Sequence, residues 1–186
     1  MTLANRITLV RVFSIPVFCG LVYAYTPERE WLRWAAFGLY TAAALSDMLD
    51  GYIARRYHQH SQLGRRLDPL ADKLIVNLGF VFIAANESFY DVLPSWFMAF
   101  PVIVLARDIF IVLGALLVIR RFGPIRFEPR RLGKITTFAH MSAIVAILLK
   151  VPFTYYLILP ALLFTLASFA DYLHAGVRFA VTRKAA

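Results

Sequence analysis

Residues 46–74 read SDMLDGYIARRYHQHSQLGRRLDPLADKL and set four carboxylates, Asp47, Asp50, Asp68 and Asp72, between two long apolar segments. An ionised carboxylate facing hydrocarbon is costly unless something pairs with it. The acids stand three apart in the first pair and four apart in the second, so on helices each pair projects from one face, one turn up. That spacing invites a metal ion, and it makes this stretch the polar centre of an otherwise apolar chain.

The apolar character extends outward in both directions. Of 186 residues, 60% are hydrophobic, and the mean hydropathy is +0.66, whereas about half the residues of a soluble domain are apolar. The expected fold is an all-α integral membrane protein, a bundle of six transmembrane helices in a single domain over residues 1–186. A spanning helix needs about 20 residues and bundle connections are short, which leaves no room for a second, soluble domain.

The apolar segments cover residues 7–25, with Arg11 near the start and Pro16 near the middle, then 31–50, 69–86, 96–119, 135–149 and 155–173. Pro16 is compatible with a membrane helix. Asp68 before Pro69 suggests an N-cap with Pro69 as the first helical residue, after a loop over residues 56–63. Arg107 and Asp108 interrupt the fourth segment. Asn5, Thr8 and Arg11 recur three apart and fit a capped helix end with a snorkelling arginine. The N-terminus has few basic residues and no Ala-x-Ala-like site, so the first segment is expected to remain as a helix.

Six spans put both termini on one side. That side receives Arg6, Arg11, Arg55, Arg56, Arg65, Arg66, the basic residues within 120–134, Arg178, Arg183 and Lys184, and the other only Arg29, Arg33 and Lys150. The asymmetry predicts that the termini, the acids and the long basic loop face the cytoplasm. It also accounts for the net charge of +9 without nucleic acid. The single Cys19 permits no intramolecular disulfide and reads as a small core residue. His58, His60, His140 and His174 form no ligand-like set and read as loop or interface residues.

On a helix, Asp47, Asp50, Gly51 and Ala54 fall at i, i+3, i+4 and i+7, a continuous face on which small residues let a bulky group approach the backbone. Arg55, beside it, can offer phosphate a forked pair of hydrogen bonds. Gly64, Asp68 and Asp72 recur every four residues and repeat the pattern. Clustered carboxylates repel unless a cation holds them, and oxygen-only ligands favour Mg²⁺ or Mn²⁺. Arginines would compete with that metal unless a phosphate bridged the two. Ion pairs that merely hold loops at the membrane surface are the plain structural alternative. An ion or proton transporter is a different class, but none of the four acids lies mid-span, where a transport path needs them.

Asp47-x-x-Asp50-Gly51-x-x-Ala54-Arg55, eight residues, then Gly64-x-x-x-Asp68-x-x-x-Asp72 resembles the full signature of the CDP-alcohol phosphatidyltransferases. The early Asn5, Thr8 and Arg11 and the pair Gly133-Lys134 extend the likeness over most of the chain. The resemblance implies transfer of a phosphatidyl group from CDP-diacylglycerol to an alcohol, with release of CMP and with divalent metals, two ions being expected. It implies that Asp47, Asp50, Asp68 and Asp72 bind metal and that Asp72 is the base that deprotonates the attacking hydroxyl. It gives Gly51, Ala54, Arg55 and Gly64, with Asn5, Thr8 and Arg11, to the cytidine diphosphate site. A homodimer in the inner membrane of a bacterium is the matching expectation.

A phosphorylated acceptor needs cations near the metals, and Arg107, Arg131 and Lys134 are the candidates, with Arg130 beside them. Arg130 and Arg131 read equally as charges attracted to anionic lipid, and Arg107 as half of a salt bridge with Asp108. Length, LDPLADK and Gly-Lys-x-x-Thr over residues 133–137 resemble the phosphatidylglycerophosphate synthases. Arg107-Asp108, where that branch usually has Arg-Glu, resembles the CMP-forming cardiolipin synthases. Glycerol 3-phosphate is therefore the first expectation for the acceptor and phosphatidylglycerol the second.

Overall fold

A computed structural model of the chain describes residues 3–57, 62–123 and 131–184. Among the described residues there are six α-helices and no strand: α1 Leu3–Ala24, α2 Glu30–Tyr57, α3 Gln62–Ala85, α4 Ala99–Phe122, α5 Arg131–Leu148 and α6 Tyr155–Lys184. Short 3-10 turns over Pro27–Arg29, Glu87–Phe89 and Ser95–Met98 sit in the connections.

The helices outrun the apolar segments. α2 continues seven residues beyond Asp50, because Gly51 is followed by a run of mostly good helix formers, Ala54, Arg55 and Arg56 among them. α3 begins at Gln62, so Asp68 is not its N-cap and Pro69 is not its first residue. The helix passes through Pro69 as α1 passes through Pro16, which a bundle tolerates when neighbours re-satisfy the freed backbone group. Residues 56, 57, 62 and 63 of the expected loop are thus helical, and the rest of it, with His58 and His60, lies outside the described residues. α6 likewise runs past residue 173 to Lys184.

α1 packs between α2 and α3, while α6 packs on α5 and α4. Phe18, Tyr40, Phe80, Phe97, Phe100, Ile144 and Ile147 are fully buried where these helices converge, and Cys19 is buried with them. Gly79 of α3 permits the approach of α1: a Cβ there would lie 3.1 Å from Phe18 Cε1 and 3.2 Å from Ile144 Cδ1. Contacts that close and leave no room for a methyl group are what a densely packed interior requires.

One end of the bundle is closed by side chains that satisfy helix C-termini, whose last carbonyls have no partner within the helix. Asn86 Nδ2 donates to the carbonyls of Val22 and Tyr25 at 2.7 and 2.9 Å, and buried Arg33 donates through Nη1 to the carbonyl of Leu148 at 2.8 Å. Lys150, just past α5, takes the left-handed φ of 51° and donates through Nζ to Asp91 Oδ2 at 2.9 Å. Burial works against the Lys150 ammonium, yet hydrogen bonds to Asp91 and Tyr25 outweigh it and hold its pKa above the ordinary lysine value. These residues sit at the end opposite Arg11 and Asp72.

The outer surface is apolar. Val102, Ile109, Phe110, Leu113, Leu116 and Leu117 of α4 are all exposed, and contiguous apolar surface on this scale marks a membrane or a partner rather than water. Over Ser95–Arg121 and Tyr155–Gly176 the helices are long and apolar enough to cross a membrane, and the apolar helices Val10–Ala24 and Leu132–Leu148 are shorter.

Candidate functional site

The signature falls on two consecutive helices. Asp47, Asp50, Gly51, Ala54 and Arg55 lie in the last part of α2, and Gly64, Asp68 and Asp72 in the first part of α3. Because α3 is helical from Gln62 on, Gly64, Asp68 and Asp72 share one face despite Pro69. Asn5 and Thr8 lie on α1 and Arg131 opens α5. Apart from Asp72, the side chains of these residues lie outside the described residues, as do Arg130 and the rest of 124–130.

Asp72 and Arg11 carry the described part of the acidic site. Arg11 Nη1 donates to Asp72 Oδ1 at 3.4 Å, the arginine side chain being 2% exposed and the aspartate 29%. Arg11 therefore does not snorkel to water. It turns inward from α1 to a carboxylate on α3, because an arginine buried among helices needs an anion more than its aliphatic stem needs a surface. The Asp72 carboxylate is thus held from α1 while remaining partly exposed.

Arg107 lies in a second polar cluster. Its Nη1 donates to Asp108 Oδ1 at 2.7 Å and its Nη2 to Ser168 Oγ at 2.5 Å, and its guanidinium stands 6.0 Å from the centre of the Tyr172 ring. The salt bridge with Asp108 is thus present, with α6 as a second anchor. Asp108 also accepts from Lys73 Nζ at 3.0 Å and from Asn77 Nδ2 at 3.1 Å, both on α3. Lys134 stands exposed in the first turn of α5. Beside it Gly133 packs on Tyr172, whose hydroxyl would lie 3.4 Å from a Cβ at that position. The Gly-Lys pair is thereby brought to the residue that underlies Arg107.

Sequence reading passed over Lys73, Asn77, Ser168 and Tyr172, although polar residues one turn apart on apolar helices are the signal that finds them. It also misplaced His140. That ring is buried in the bundle, edge-on to Phe80 and Phe100 with centroids 5.5 and 5.7 Å away, and its Nε2 meets Thr165 Oγ1 at 2.8 Å. Thr165 donates its own proton to the Ala161 carbonyl at 2.7 Å, so Nε2 is the donor of the His140 bond. His174 is exposed on α6.

The sequence model of the CDP-alcohol phosphatidyltransferase family matches residues 1–172, from α1 into α6. The chain belongs to this family. Over 164 residues the phosphatidyltransferase is 32% identical to the CDP-diacylglycerol--glycerol-3-phosphate 3-phosphatidyltransferase of Bacillus subtilis, covering 81% of this chain and 79% of that one. The Escherichia coli protein of the same name is 38% identical over 106 residues, 56% of this chain and 53% of its own. A cardiolipin synthase (CMP-forming) of Oryza sativa is 34% identical over 112 residues, 59% of this chain and 33% of its own.

Proposed function

We propose that this phosphatidyltransferase makes phosphatidylglycerophosphate, transferring the phosphatidyl group of CDP-diacylglycerol to a hydroxyl of glycerol 3-phosphate with release of CMP. The observation that carries the reading is the signature itself, complete at every fixed position and borne on two consecutive helices, in a chain similar over most of its length to a protein named for glycerol 3-phosphate.

Asp47, Asp50, Asp68 and Asp72 would hold two Mg²⁺ or Mn²⁺ ions. The donor set fits such ions, since it offers carboxylate oxygens without His or Cys, and the Asp72 side chain is partly exposed. When bound, the ions supply positive charge against the diphosphate and the departing CMP. Asp72 takes the proton of the attacking hydroxyl as the new oxygen–phosphorus bond forms and the bond to CMP breaks. Arg11 holds that carboxylate in place from α1. Gly51, Ala54, Arg55 and Gly64, with Asn5 and Thr8, receive the cytidine diphosphate. Arg107, Lys134 and Arg131 meet the acceptor phosphate.

All six helices cross the membrane in this reading, with termini and active site at the cytoplasmic face of a bacterial inner membrane and the protein acting as a homodimer. The lysine and arginine asymmetry supports the orientation, and the apolar outer face of α4 supports contact with lipid.

Arg107-Asp108 and the likeness to the Oryza sativa protein favour a second reading, a cardiolipin synthase that uses phosphatidylglycerol. Incubating the purified protein with CDP-diacylglycerol and each acceptor in turn decides between them. Phosphatidylglycerophosphate formed from glycerol 3-phosphate supports the first, and cardiolipin formed from phosphatidylglycerol, with glycerol 3-phosphate inert, replaces it.

A further inference from the structure

Asp108 of α4 joins side chains of two helices, and neither the signature nor the family comparison gives it a role. Asp108 accepts from Arg107 Nη1 and Lys73 Nζ on Oδ1 and from Asn77 Nδ2 on Oδ2, and its side chain is only 13% exposed. Lys73 and Asn77 are one turn apart on α3, so both carboxylate oxygens are gripped from one face of a neighbouring helix. Lys73 directly follows Asp72 in the chain. The grip on Asp108 therefore fixes the turn of α3 that carries Asp72.

The same carboxylate holds Arg107 from one side while Ser168, fully buried on α6, holds it from the other. A guanidinium tied at both terminal nitrogens has little rotational freedom. Its Nε–H is buried and has no partner among the described residues, which leaves a donor that those residues do not satisfy. One carboxylate set against two cations, Lys73 and Arg107, leaves a net positive charge on the cluster, and that suits a phosphorylated ligand.

We propose that Asp108 is a positioning residue for phosphatidyl transfer, locking Arg107 of α4 in register with the Asp72-bearing turn of α3. The inference rests on the roles given above to Asp72 and Arg107. Through it the base and the acceptor's cation keep a fixed separation, which is what an in-line displacement requires.

Asp108→Asn keeps the shape and removes the charge. Its kcat should fall by roughly ten- to hundredfold, the usual effect of losing a partner that orients a functional group. The KM for the acceptor should rise, that for CDP-diacylglycerol should stay within about twofold, and Asp108→Glu should recover most of the lost kcat. A carboxylate that only braces the bundle gives another result: a lower melting temperature, unchanged kcat per folded molecule and unchanged KM values, which would overturn the proposal. If Asp108→Asn does not fold, Asn77→Leu loosens the same grip from α3, and parental kinetics in that folded variant would overturn the proposal equally. Each variant is compared with the parent on whichever of glycerol 3-phosphate and phosphatidylglycerol the parent uses. A mistaken acceptor then shows in the parent, and a mistaken role for Asp108 shows in the ratio.

Discussion

Arg11 and Asp72 pair across α1 and α3. Drawing the arginine out of water costs free energy that the carboxylate offsets, and the carboxylate itself stays partly exposed. Asp72→Asn preserves the shape of the side chain and removes the basic oxygen. It should lower kcat by about two to four powers of ten if Asp72 is the general base, with CDP-diacylglycerol binding close to that of the parent; loss of that binding would make Asp72 chiefly a metal ligand. Asp50→Asn removes a proposed metal ligand, so its activity should collapse at ordinary metal concentration and recover in part with excess Mn²⁺. Parental activity at ordinary metal concentration would remove Asp50 from the metal site. Arg107 is held by Asp108 and Ser168 yet keeps a buried N–H to offer. Arg107→Ala should raise the acceptor KM by about tenfold or more, a charge-assisted hydrogen bond being roughly twice as strong as a neutral one. An effect on stability alone would leave Arg107 as a structural salt bridge.

At the level of elements, spacing carried the site further than it carried the helix ends. The three- and four-residue intervals of the acids have meaning only on helices, and α2 and α3 are helical across all of them. Pro69 misdirected the start of α3, because proline opens helices more often than it interrupts them in water, while a surrounding bundle relaxes that rule. The second cluster was hidden for another reason. Lys73, Asn77, Asp108 and Ser168 come from three helices, and nothing along the chain says that Asp108 faces α3 rather than the outside. His140 was equally unreadable, since a buried histidine satisfied by Thr165 and one at an interface have the same sequence. The closure of α1 by Asn86 can be tested apart from catalysis. Asn86→Leu takes its donor from the Val22 carbonyl and leaves the Tyr25 carbonyl only the 3.3 Å contact from Ser88 Oγ, which should cost about 1–3 kcal/mol. The check is thermal unfolding in detergent, with both KM values expected to match the parent's because the residue lies at the far end from Asp72.

The whole molecule has two unlike ends and an apolar girdle. Helix caps and the Lys150–Asp91 pair finish one end, and the Arg11–Asp72 pair lies toward the other, a division that suits an enzyme whose donor is a lipid and whose leaving group is a water-soluble nucleotide. We propose that the four aspartates run a metal-dependent release of CMP toward an alcohol. Purified protein given CDP-diacylglycerol labelled in the cytidine tests it most directly. Labelled CMP should appear only when glycerol 3-phosphate and Mg²⁺ or Mn²⁺ are both present, and should cease on chelation; release that persists with the metal removed, or none with any alcohol acceptor, would contradict the account.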